Sequence, residues 1–124
     1  MNEIEQQLQR WLDSLAAGDA DRVTALYTED AVLLPTLDGE VKVGHDAIRD
    51  YFANGFLPKA PRGTVVELHS RALGDVAVNS GLYDFEVDDG AGGRKTVSAR
   101  LTFVYHRVGD DWRIVEHHSS LKPG

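Results

Sequence analysis

The chain has 124 residues, 42% of them hydrophobic and 27% charged, with a formal net charge of −7 and no cysteine. That length buries one core, so a single domain over 1–124 is expected. The acidic balance argues against nucleic-acid and anionic-membrane partners, which need a basic excess, and the lack of thiols excludes disulfide and thiolate chemistry.

The N-terminal stretch MNEIEQQLQRWL is polar and acidic, unlike a signal peptide, and no apolar run is long enough to span a bilayer; a cytoplasmic protein is expected. Ile4, Leu8, Trp11, Leu12 and Leu15 recur at the helical period and predict a helix over 3–17. Gly18 suits its C-cap. Asp19 suits the N-cap of a second helix, ADRVTALYT, with Val23, Leu26 and Tyr27 on one side. EDAVLLPTLDG reads as extended, because Pro35 removes a ladder donor and biases Leu34 away from helix. Asp38–Gly39 is a turn signal between VLL and VKV. GHDAIRDYFANGFL predicts a third helix, with Ala47, Ile48, Tyr51 and Phe52 at helical spacing and Gly55 interrupting or ending it.

Beyond PKAPRG the period changes. TVVELHSRAL, DVAVNSGLYDFEV, KTVSARLTFVYHRV and DWRIVEHHSSL are rich in β-branched and aromatic residues and are separated by turn residues. Strands in succession with short links imply an antiparallel meander, and helices ahead of it imply an α+β two-layer domain.

Alternation along each strand sorts the side chains by face. On 97–107, Val97, Ala99, Leu101, Phe103 and Tyr105 share an apolar face, opposite Ser98, Arg100, Thr102, Val104 and His106. On 112–119, Arg113, Val115, His117 and Ser119 share one face, and Trp112, Ile114, Glu116 and His118 the other. His117 and His118 therefore point apart and cannot chelate one metal together. No H-x-H or H-x-x-x-H spacing exists elsewhere, so no metal site is expected, and His45, His69 and His106 read as hydrogen-bonded residues. GAGG at 90–93 is flexible hairpin, not a phosphate loop, so no cofactor is expected.

The segments AVLLPTLDG…VGHDAIRDYF, SGLYDF and above all SARLTFVYHRVGDDWRIVEHHSSLKP resemble the calcium/calmodulin-dependent protein kinase II association-domain family, in particular its small stand-alone bacterial members. That family lies in the nuclear transport factor 2-like superfamily, with SnoaL-like cyclases and ketosteroid isomerase. The resemblance implies a cystatin-like, nuclear transport factor 2-like cone, with N-terminal helices packed on a curved antiparallel sheet around a cavity. It also implies self-association. A homodimer is expected, burying Phe103, Tyr105, Trp112 and Ile114 across a two-fold axis.

The family's cavity carries arginines suited to a small carboxylate. The resemblance puts one of them at Arg100, whereas the other two positions hold Tyr83 and Ser119. A ligand site is therefore expected from Arg100, Tyr83 and His117, with Tyr27 and Trp11 from the helical side, and a small carboxylate as the candidate ligand. The alternative for Arg100 is an internal partner, Glu67 or Glu116. An enzyme is the rival class. The isomerase base falls on Leu34, which cannot take a proton, and strand 96–107 has no acid. A cofactor-free acid/base enzyme of SnoaL-like type would instead use His117 with Tyr83 as catalytic pair.

Overall fold

A computed structural model describes residues 2–124. Its first helix, α1 (Glu3–Ala16), starts at a capping box: the Asn2 side chain accepts from the Glu5 amide at 2.8 Å, and the Asn2 amide donates back to Glu5. The apolar stripe read from the sequence is the buried face of α1. A second helix, α2 (Ala20–Thr24), follows with Asp19 as N-cap. It is shorter than expected because Tyr27 opens strand β1 (Tyr27–Leu34) instead of extending the helix. There Tyr27 lies beside Ile114, and the Ile114 amide donates to the Leu26 carbonyl at 2.8 Å. Pairing with the sheet outweighs the local helical pattern.

Strand β2 (Lys42–Val43) pairs with β1, as the turn signal at Asp38–Gly39 suggested. Helix α3 (His45–Asp50) then runs on without a break. It widens to a π-helix over Tyr51–Phe56 and tightens to a 3₁₀ turn over Leu57–Lys59. Gly55 sits inside this widened stretch and does not end it.

The meander forms as β3 (Arg62–Leu73), β4 (Val76–Asp88), β5 (Arg94–Val108) and β6 (Asp111–Leu121), all antiparallel. The complete sheet is six-stranded, in the order β2-β1-β6-β5-β4-β3, and β1 runs parallel to β6. The sheet is therefore mixed, not purely antiparallel. No helix among the described residues is long and apolar enough to cross a membrane.

A bulge in β6 changes one expectation. The β5–β6 register shifts between Val104 and Tyr105, so Val104 pairs with Glu116 while Tyr105 pairs with Ile114. Val115 is the extra residue, and strict alternation fails across it. Trp112 and Ile114 consequently face inward together with His117 and Ser119.

This inner face is covered by the chain's own helices. Phe103, Tyr105, Trp112 and Ile114 are 0–4% exposed and belong to one core with Ile4, Leu8, Trp11 and Phe52. They cannot be buried a second time across a two-fold axis, so the dimer face expected from them is ruled out. Asn79, fully buried on β4, fastens α1 to the sheet by donating to the Ile4 carbonyl at 2.9 Å and to Tyr105 Oη at 3.0 Å.

A second bulge lies in β3, where Val65 pairs with Tyr83 but Glu67 pairs with Leu82. It presses the Glu67 carbonyl onto Gly81, where a Cβ would overlap that oxygen. Gly81→Ala is expected to cost about 3 kcal/mol in urea denaturation, since backbone rather than a flexible side chain must move. An unchanged midpoint would contradict this close approach.

Candidate functional site

Three elements bring polar groups together beneath α1. Trp11 projects from the centre of the α1 stripe. Its indole stacks on Tyr83 at 6.0 Å between ring centroids and meets Phe103 edge-on at 5.1 Å. Tyr83 comes from the inward positions of β4. His117 and Ser119 stand two apart on the inner face of β6. His117 is 2% exposed and lies flat on Phe103 at 3.7 Å.

The hydrogen bonds form one chain. Trp11 Nε1 lies 3.0 Å from Tyr27 Oη, which is 2.9 Å from His117 Nδ1. On the other side of the ring, His117 Nε2 is 3.3 Å from Tyr83 Oη, which donates to Ser119 Oγ at 2.7 Å. Ser119 Oγ makes a short contact with Thr36 Oγ1.

Proton counting gives this chain a direction. An indole N–H can only donate. Tyr27 accepts from Trp11. Because Tyr83 spends its proton on Ser119, the Tyr83 oxygen can only accept from His117 Nε2, so in the neutral ring Nδ1 is bare and accepts from Tyr27. The imidazole then carries its proton on Nε2 and donates to Tyr83. Tyr83 donates to Ser119, and between Ser119 and Thr36 either hydroxyl can donate. One hydroxyl proton of the Ser119–Thr36 pair is left over at the outer end.

The electrostatics agree with a neutral ring. Burial, helped by the nearby His118, lowers the His117 pKa to about 3. Burial likewise raises Tyr27 and Tyr83 well above the ordinary phenol range, so both remain protonated. A base this weak abstracts protons poorly near neutrality, which counts against His117 as a general base.

The outer end of the chain opens into a cleft lined by Trp11, Tyr51, Phe56, Tyr83, His117 and Ser119, with Pro35 and Thr36 also in its wall. The cleft holds about 390 Å³ of empty space counted out through its mouth, but only about 20 Å³ is open to the centre of a water molecule. The second figure decides what fits: one or two waters enter freely, and anything larger must displace side chains. No charged residue lines it. Tyr51 is also in the wall; burial raises its pKa, with Asp38 adding to the effect. Its hydroxyl makes no hydrogen bond among the described residues. Because no fully enclosed side-chain polar atom among the described residues lacks a partner, that hydroxyl must reach open space.

Four of the five expected site residues thus meet: Trp11, Tyr27, Tyr83 and His117. Tyr27 stands behind the cleft wall, while the other three line it. Arg100 does not join them. It pairs across the sheet with Leu82 and Ser120 on the outer face, where it is exposed, and its Nε donates to Ser120 Oγ at 3.3 Å. The reason is parity: Ala99 and Leu101 take the inward positions on either side of it. Neither suggested internal partner holds it. Glu67 is 2.6 Å from His69, and Glu116 is exposed. Thr36 and Tyr51 were not anticipated. Ser119 was visible as the inward neighbour of His117 at spacing i, i+2, but Thr36 lies in a loop without periodicity.

The architecture, helices on a curved six-stranded sheet, is that of cystatin-like, nuclear transport factor 2-like proteins. It matches a protein of that fold from Novosphingobium aromaticivorans at TM-score 0.82 and 17% identity, over 98% of this chain and 81% of that one. It also matches a candidate dehydratase of the same superfamily from Streptomyces avermitilis at TM-score 0.86 and 16% identity, over 98% and 95% of the two chains. The family model for the calcium/calmodulin dependent protein kinase II association domain matches residues 1–123. A candidate association domain of that kind from Xanthomonas campestris is 39% identical, with TM-score 0.93, over 98% of this chain and 86% of that chain. The chain belongs to the calcium/calmodulin dependent protein kinase II association domain family.

The neutral imidazole has a consequence for stability. His117 is held near pKa 3 when folded and returns to about 6.5 when unfolded. The unfolded chain therefore binds the extra proton between these values, so stability is full above about pH 6.5 and falls as the pH drops toward 3. Between pH 7.5 and 5 this group alone is expected to remove about 2 kcal/mol. In denaturation at both pH values, His117→Gln should lose less stability than the parent chain; an equal loss would contradict a neutral buried ring.

Proposed function

We propose that the protein is a self-associating domain whose cleft takes a small, uncharged molecule presenting an oxygen acceptor. The observation that carries the ligand class is the outward-running hydrogen-bond chain. It ends with one unspent hydroxyl proton on the Ser119–Thr36 pair, in a wall that has a second free hydroxyl, Tyr51, and no charge. Such a wall suits a ketone, ester or amide oxygen, with aromatic rings against the rest of the molecule.

A small carboxylate is less well served. With Arg100 on the outer face it would meet no cation in the cleft wall, and Asp38, close enough to raise the Tyr51 pKa, adds repulsion. Any ligand larger than water would have to move Tyr51 and Phe56, both on the π-helical stretch.

Self-association is supported by the family to which the chain belongs. It would use the outer face of the sheet. There Val78, Leu82 and Val104 are half-buried among Arg100, Glu116 and His118. The acid/base alternative draws on the continuous path from His117 to the cleft and on the likeness to a candidate dehydratase, but the ring's low basicity weighs against it.

Two measurements test the proposal. In thermal-shift titrations, acetophenone should stabilise the protein more than benzoate, and Thr36→Val should reduce the acetophenone shift. Stronger stabilisation by benzoate would overturn the uncharged ligand. In light scattering at micromolar concentration the chain should be at least dimeric, and Leu82→Glu should shift it toward monomer; a parent chain that is strictly monomeric would overturn self-association.

A further inference from the structure

Cations are scarce on this chain of net charge −7, yet three guanidiniums share one surface groove. Arg10 comes from α1, Arg22 from α2 and Arg113 from β6. The floor between them is Ala25, Leu26 and Trp112. About 260 Å³ of this groove is open to water-molecule centres, far more than in the aromatic cleft. No carboxylate lines it.

The surrounding acids already have partners, Glu3 and Asp111 among them at the groove's edge. Asp21, beside Arg22 in the chain, accepts from Arg49 at 2.6 Å. Glu3 accepts from Trp112 Nε1 at 2.9 Å and faces Arg107, whose guanidinium stacks on the Trp112 ring. Among the described residues, the Arg10 side chain bonds only Gln7, at 3.2 Å, and the Arg22 side chain makes no ion pair. Arg113 is held in place by the Ala25 carbonyl at 3.1 Å, with Asp111 at 3.4 Å.

Three cations around one hollow repel one another, and Asp111 offsets one of them. An anion in the groove would relieve the rest. Guanidinium forks suit the paired oxygens of a phosphate or carboxylate, and the Leu26–Trp112 floor suits a carbon skeleton. We propose that this groove binds a small organic dianion, a phosphate monoester or a dicarboxylate, between Arg10, Arg22 and Arg113, with its apolar part against Leu26 and Trp112. The site is separate from the aromatic cleft and does not depend on it.

The two tryptophans allow the sites to be observed separately, since Trp11 lines the cleft and Trp112 the groove. Indole resonances of the full chain, labelled with ¹⁵N-tryptophan and assigned with Trp112→Phe, would be followed during titration with phenyl phosphate, phthalate and inorganic phosphate. A saturable shift of the Trp112 resonance, with Trp11 unmoved, is expected for at least one organic probe, and whichever binds tighter identifies the oxyanion. Arg10→Gln and Arg22→Gln, both at exposed positions, should each weaken it at least about ten-fold, whereas Arg100→Gln should not. No saturation by about 10 mM of either organic probe would overturn the proposal, as would a shift that persists unchanged in the Arg10→Gln/Arg22→Gln double variant. Inorganic phosphate binding as tightly as both organic probes would overturn the role of the apolar floor.

Discussion

One neutral imidazole joins the layers of this domain. His117 takes a proton from Tyr27 on β1 and gives one to Tyr83 on β4, while Trp11 of α1 anchors the far end. A polar ring can be buried on Phe103 only if both nitrogens are partnered. With Tyr83 donating to Ser119, the proton of the neutral ring lies on Nε2 and Tyr27 donates to Nδ1. Burial keeps the ring uncharged, with the nearby His118 adding to the effect, and holds its pKa near 3.

Charge is accordingly kept out of the cone and distributed outside it. The cleft presents hydroxyls and aromatic faces, Arg100 lies on the outer sheet face, and the densest group of guanidiniums gathers where α1, α2 and the start of β6 meet. The two hollows of this chain therefore differ in character, one a nearly closed uncharged cleft and the other an open groove lined by cations. In this chain, membership of the association-domain family does not by itself place a carboxylate inside the cone.

Much of the fold was legible because its periodicities are strong. The α1 stripe, the four strands of the meander and the inward set Ala99, Leu101, Phe103 and Tyr105 follow directly from spacing. Failures occurred where tertiary pairing overrides a local pattern. Tyr27 continues a helical spacing but is claimed by β6, and the Val115 bulge moves Trp112 and Ile114 to the face of His117. Of the residues expected at a site, Trp11, Tyr27, Tyr83 and His117 come together. Arg100 was placed inside by resemblance although its own parity, opposite the apolar face of β5, pointed outward. Thr36 lies in a loop and carries no periodic signal, whereas Tyr51 shows the helical spacing of its neighbours, which marks it as part of an apolar face and says nothing of a cleft.

The central claim, a neutral His117 with its proton on Nε2, is tested most directly by long-range ¹H–¹⁵N correlation of the imidazole side chains. The account predicts an Nδ1 shift typical of an unprotonated nitrogen and an Nε2 shift typical of N–H, both unchanged from pH 7.5 down to 5. A proton on Nδ1 in the neutral ring, or titration to imidazolium within that range, would reverse or break the chain of donors and contradict the account.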